Sequence, residues 1–171
     1  MTVIRQTEKI AKIASSLIDN LCSLAVSSER GKSVALLHRD ESDHVQELLI
    51  ALAPRTFVDR HCTNNQSESV FVIKGLLAMA LFSESGEIFE TLTLANNKES
   101  SLLGIRLPSR QWQAYLTGTE ITVIHEIACG PFKSTNSEHW ALDGSEVLEV
   151  KKRLELRLST ASNPNIILKR G

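Results

Sequence analysis

No apolar run in this sequence reaches the ~18–20 residues that would span a bilayer, so no membrane-crossing helix is expected. A short basic start followed by a continuous apolar stretch is also missing, and no signal peptide is expected. Aromatic side chains are only 5% of the residues, too few for base-stacking platforms. Neither sign of charge dominates. The 19 Lys and Arg against 20 Asp and Glu leave a formal net charge of −1, so nothing directs the chain to nucleic acid or to an anionic membrane surface. Three cysteines, Cys22, Cys62 and Cys129, are far apart and form no CxxC pair, which argues against a disulfide framework or a zinc finger. Reduced thiols point to the cytoplasm. Glycine-rich phosphate loops, nucleophile elbows and HExxH helices are absent, as are internal repeats and low-complexity tracts.

What remains is an ordinary globular composition, 42% apolar and 23% charged over 171 residues, enough for a single core. Ile10, Ile13, Ala14, Leu17, Ile18, Leu21, Leu24 and Ala25 recur at spacings of three and four and predict an N-terminal helix with one apolar stripe. Its exit is expected at Ser27 to Gly31. Strands are expected at Glu68–Ile73, Leu102–Leu107 and Ile121–Cys129, and a hairpin at Leu76–Phe82 and Glu87–Leu94 around Ser83-Glu84-Ser85-Gly86. Val45–Leu52 is nearly continuous in apolar residues, so periodicity leaves strand and helix both open. Asp143-Gly144-Ser145 can cap a last helix from about Glu146 to Leu158, with Val147, Val150, Leu154 and Leu158 on its apolar face. The tail from Ser159, with Asn163-Pro164-Asn165 and Ile166-Ile167-Leu168, reads as an appendage that could dock on a partner.

Two stretches carry a family pattern. From Pro54 to Gly75 the text is Arg55-TFVDR-His61-Cys62-Thr63-NNQS-Glu68-SVFVIK-Gly75, and later Pro108-Ser109-Arg110-Gln111-Trp112-Gln113. The first resembles the cupin motif of glycine, His-x-His, glutamate and glycine at the right spacings, with Arg55 for the first glycine and Thr63 for the second histidine. The second resembles Pro-x-Gly-x-x-His, with Arg110 for the glycine and Gln113 for the histidine. The run VQELLIALAP (Val45 to Pro54) and the ending HEIACGPF with Trp140-Ala141 resemble those of the WbuC-like cupins, a bacterial group linked to surface-polysaccharide gene clusters. The resemblance spans about residues 10 to 141. It implies a mainly β fold, the cupin double-stranded β-helix or jelly-roll barrel, with an N-terminal and a C-terminal helix. The corresponding parts are 1–44, an N-terminal helical segment; 45–141, the barrel; and 142–171, the C-terminal helix and tail.

By the same resemblance, the positions of the metal ligands are His61, Thr63, Glu68 and Gln113. A hydroxyl and an amide are poor donors beside imidazole, so the expectation is no cofactor or a weakly bound divalent metal, Zn, Ni, Fe or Mn. A buried hydrogen-bonded cluster of the same four side chains is the alternative. Arg55 and Arg110 stand where glycine often marks positive φ. They either form an anion site at the barrel mouth or are solvated surface charges. Trp112 either lines a pocket rim or anchors the core. Cys62 is expected to pack outward from the strand that carries His61. His125, in an apolar run, is expected to be a satisfied core or edge residue, whereas His38, His44 and His139 lie in polar text and are expected to be solvated.

Three functions remain open. One is a non-catalytic or weakly metal-binding cupin that holds a small polar or anionic ligand, with a link to surface-polysaccharide metabolism. The second is a metal-dependent enzyme acting on a sugar or small oxygenated substrate. The third is a metal-free enzyme with Glu68 or His61 as general base. The expected partners are a small-molecule ligand and a second copy of the chain in a homodimer, because the helix stripe and apolar tail exceed what one small barrel readily covers.

Overall fold

The structure is a computed structural model that describes residues 2–64, 66–96 and 102–162. Eleven strands and two α-helices lie among the described residues. The six-stranded sheet has the order β1 (Thr2–Arg5), β2 (Lys32–Leu36), β3 (Val45–Leu52), β10 (Thr122–Cys129), β5 (Glu68–Lys74) and β8 (Gly104–Leu107). The five-stranded sheet has the order β11 (Ser137–His139), β4 (Phe57–Thr63), β9 (Trp112–Thr117), β6 (Leu76–Phe82) and β7 (Ile88–Ala95). All pairings are antiparallel except β1 with β2.

Alternation along each strand sends one set of side chains between the sheets. Val34, Ile50, Leu52, Val70, Val72, Leu77, Met79, Leu81, Leu92, Leu94, Leu107, Tyr115 and Ile124 fill that interior. The outward sets are covered by the helices. Helix α1 (Ser15–Ser27) buries Leu21, Cys22 and Ala25 against Ala35, Leu49, Ala51 and Val123. Helix α2 (Gly144–Ser162) lays Val147, Val150, Leu154 and Leu158 on Ala78, Ala80, Phe82 and Ala114. Its start is a capping box. The Asp143 carboxylate accepts from the backbone N–H of Ser145 and Glu146 at 2.8 and 2.9 Å, and Glu146 Oε2 accepts from the Asp143 N–H at 2.9 Å.

Several expectations change in detail. Val45–Leu52 is a strand paired with β2 and β10, and its apolar residues fall on both faces because Ile50 and Leu52 enter the interior while Leu49 and Ala51 lie under α1. The first helix begins only at Ser15, leaving Ile10 and Ile13 69% and 46% exposed. The reason is the parallel β1–β2 pair. A parallel pair needs a crossover, and the chain after Arg5 must leave the sheet edge before α1 can lie across its outer face. The segment 1–44 therefore carries β1 and β2 as well as the helix. The last helix runs past Leu158 to Ser162. The stretch Asn163 to Leu168 lies outside the described residues. No helix among the described residues is long and apolar enough to cross a membrane.

Candidate functional site

The interior is apolar along most of its length and polar at one end. That end is where β4 and β10 finish and β5 and β9 begin. His61 on β4 faces Gln113 on β9 as a cross-strand pair. Glu68 opens β5 between Leu107 of β8 and Ala128 of β10. Gln113 Nε2 donates a hydrogen bond to Glu68 Oε1, joining the two sheets across the interior. Both side chains are buried, Gln113 at 2% and Glu68 at 3% exposure. Three of the four candidate positions are thus brought together. Thr63 lies two residues beyond His61 on the same strand, but its hydroxyl donates at 3.2 Å to the backbone carbonyl of Gln66.

Two further interior groups belong to this end, and the sequence reading did not single them out. Glu126 on β10 sits between Leu48 and Val70, both core positions, and so points inward. A charged residue two positions from inward-facing Ile124 was the available signal, and period two would have found it. Tyr115 stands beside His61, ring edge to face with centroids 5.6 Å apart.

The electrostatics follow from burial. Burial pushes His61 down to about 4, aided by the charges of Lys32 and His139 and opposed by its bond to Asp59, so the imidazole is neutral at pH 7. Its Nδ1 lies 2.8 Å from the Asp59 carbonyl. A carbonyl can only accept, so Nδ1 carries the hydrogen and Nε2 is left as a bare acceptor. Burial lifts Glu68 to about 7, with the neighbouring charge of Glu126 adding to it and the Gln113 hydrogen bond opposing it. Burial also raises Glu126 and Tyr115. No Lys, Arg or His forms an ion pair with Glu68 or Glu126 among the described residues.

This donor set does not fit a tight transition-metal site. It offers one imidazole and one carboxylate where three nitrogens and a carboxylate would serve, and the Gln113 amide presents N–H, not oxygen, to Glu68. Among the described residues no three His, Cys, Asp or Glu side chains are close enough to share an ion.

The remaining candidates do not converge. Arg55 precedes β4, where its N–H bonds the Gly118 carbonyl, whereas the N–H of Arg110 bonds the carbonyl of Thr63 at the other end of that strand. The seven residues of β4 hold the two arginines about 20 Å apart, too far for both to grip one small anion. Both retain the left-handed backbone, φ 58° at Arg55 and φ 63° at Arg110, so the turns keep their shape with arginine in place of glycine. Trp112 faces away from the interior, packed against the α2 cluster and edge-on to Trp140 at 5.6 Å. Cys62 is buried on the face opposite His61, its thiol pushed up by burial. His125 pairs with Glu47 at 2.7 Å on the outer face. His44 and His139 are exposed. His38 is buried, not solvated as expected; its Nδ1 accepts from the Glu47 N–H at 3.0 Å, because the chain after β2 folds back on β3.

Arg60 was also missed. Its side chain is 1% exposed, with the guanidinium 3.8 Å from the centroid of Trp140 and 5.1 Å from that of Phe82. Nε donates to the Trp140 carbonyl at 3.2 Å, and Nη2 has no partner. Nothing in the local text TFVDR distinguishes it from a surface arginine.

Comparison with solved structures adds the fold's relatives. The capsular polysaccharide assembling protein CapF from Staphylococcus aureus superposes with a TM-score of 0.54 at 13% identity, covering 67% of this chain and 33% of CapF. A dTDP sugar isomerase from Desulfovibrio desulfuricans G20 superposes with a TM-score of 0.51 at 13% identity, covering 64% of this chain and 71% of the isomerase. The chain has a cupin fold. The Cupin_2 domain of an XRE family transcriptional regulator from Enterobacter cloacae is also similar, with 24% identity and a TM-score of 0.44 over 59% of this chain and 98% of that domain. A family model described as a domain of unknown function (DUF6016) matches residues 13–94. No curated protein matches the chain. The chain spans about a third of CapF's length, and at these identities the likeness concerns the fold alone.

Proposed function

We propose that this cupin works without a bound metal and holds a small polar ligand at the polar end of its barrel, without catalysing a reaction. The observation that carries the reading is the Gln113–Glu68 hydrogen bond. In a metal cupin these two positions would both turn a donor atom to the ion; here the Gln113 N–H is turned to the Glu68 carboxyl instead. A neutral His61 beside them adds recognition by hydrogen bonding and no charge. Separation of Arg55 from Arg110 favours a polar over an anionic ligand. The competing reading, a metal-dependent enzyme acting on a sugar or small oxygenated substrate, keeps only His61 and Glu68 of its ligand set.

A place in surface-polysaccharide metabolism, as in the WbuC-like cupins, is supported by the flanking text around the motifs and by the name of CapF. The proposed compartment is the cytoplasm and the proposed assembly a homodimer. Phe71, Leu103 and Val45, exposed at 42%, 56% and 49%, are the apolar surface a second copy would cover. Light scattering that shows only monomer at micromolar concentration would contradict that assembly. For the metal, the purified protein is dialysed against Zn, Ni, Mn or anaerobic Fe(II) and analysed for elements. Metal well below one equivalent is expected. A full equivalent that is lost in His61→Ala would overturn the reading.

A further inference from the structure

The atoms that this polar end leaves without partners are acceptors. Gln113 Oε1 is buried and has no hydrogen-bond partner. In the structure the amide turns its N–H side to the Glu68 oxygen, which leaves Oε1 unpaired. His61 Nε2 is the second acceptor, left bare because Nδ1 carries the hydrogen that goes to Asp59. No bond to Nε2 is formed among the described residues. His61 and Gln113 are directly opposite each other on β4 and β9. Directly paired residues have Cβ atoms about 4.5–5.5 Å apart, so the two acceptors belong to neighbouring side chains.

We infer that the ligand is a neutral polyhydroxylated molecule of the sugar class, bound by donating protons from neighbouring hydroxyls to Gln113 Oε1 and His61 Nε2. The inference rests on the metal-free ligand-binding reading above and names its ligand class. An anion has no lone donor pair waiting for it here. Glu68 and Glu126 both lie on the interior face, and the cation whose charge reaches His61 and Glu126, Lys32, begins β2 and forms no ion pair with either carboxyl. Tyr115, whose phenol has no hydrogen-bond partner among the described residues, can give or take one bond and suits a hydroxyl that does both. An ammonium group could satisfy the same two acceptors, but burial favours the neutral form of Glu68 and Glu126, so they offer it no fixed counter-charge; it is the competitor the test must exclude.

The test is a titration of the whole 15N-labelled chain in metal-free buffer, following the Gln113 side-chain amide signals. The probes are the methyl glycosides of glucose, galactose and mannose, against gluconate and inorganic phosphate as anions and ethanolammonium as cation. A saturable shift with at least one glycoside is expected, tighter than with either anion or the cation. Gln113→Met and His61→Phe each remove one acceptor while keeping the bulk, and each is expected to weaken glycoside binding at least tenfold as read by calorimetry. If one variant does not fold, the other and the wild-type ranking still decide. Tighter binding of an anion or the cation, or saturation by none of the probes, overturns the sugar assignment. Metal-free binding of an anion or cation would leave the wider reading standing. Glycoside binding that appears only with added metal would bring down that wider reading instead.

Discussion

Gln113 on the five-stranded sheet donates its amide N–H to the carboxyl of Glu68 on the six-stranded sheet, so one buried hydrogen bond links the two sheets at the polar end of the barrel. Beside it, His61 and Glu68 carry opposite penalties, and these set the first prediction. The imidazole is held down at about 4, so stability is lost as pH falls from 6.5 towards 4, where the unfolded chain binds the proton first. The Glu68 carboxyl is held up at about 7, so stability is lost as pH rises from 4.5 towards 7, where the unfolded chain releases its proton first. Each of these two effects is worth about 3 kcal/mol across its window, and over their shared range they oppose each other. Glu126, raised by the same burial, adds to the loss as pH rises. In denaturant unfolding at several pH values, Glu68→Gln should make stability rise more with pH than in the wild type between 4.5 and 6.5, and His61→Phe should make it fall more steeply there. Identical profiles for the two variants would contradict the burial of both groups.

Arg55 and Arg110 hold left-handed backbone at φ 58° and φ 63°. A side chain there costs on the order of 1 kcal/mol, so Arg55→Gly and Arg110→Gly should each raise stability by up to about that amount. The measurement is the urea midpoint. A loss of stability in either variant would show that the guanidinium makes a compensating contact.

Arg60 is the opposite case, an arginine whose side chain is held by packing. Truncation by Arg60→Ala should remove the stacking on Trp140 and Phe82 and open a cavity, lowering stability by about 3 kcal/mol. Arg60→Met, which keeps most of the stem, should recover the packing share of the loss but not the bonds from Nε to the Trp140 carbonyl and from Nη1 to the Gly86 carbonyl. Equal losses in both variants would show that the charge, not the packing, is what matters.

The fold was legible because the signals were local. The Ser83–Gly86 turn between β6 and β7, the apolar face of α2 and the Asp143 cap are all written within a few residues. His61 stands opposite Gln113, and Gln113 bonds Glu68, at the end of the barrel that the spacing of the first motif pointed to. What stayed hidden depends on distant pairing. Val45–Leu52 becomes a strand because β2 and β10 flank it, and neither neighbour shows in its own text. Ile10 and Ile13 continue the helical period yet are drawn off by the β1–β2 crossover. Arg55 and Arg110 share the loss of glycine, but only the strand order shows that they lie at opposite ends of β4. Glu126 was readable from period two, two positions after inward-facing Ile124.

On the reading proposed above, the barrel end keeps the frame of a metal centre with two of its donors replaced, Thr63 and Gln113. The most direct measurement is calorimetric titration of Zn or Ni into the wild type and into the double variant Thr63→His with Gln113→His. Three imidazoles and a carboxylate would then share the end of the barrel. Weak or no binding to the wild type is expected, and a stoichiometric site in the double variant, tighter by orders of magnitude. A folded double variant that binds no better than the wild type, or a wild type that already binds one equivalent tightly through His61 and Glu68, would contradict it.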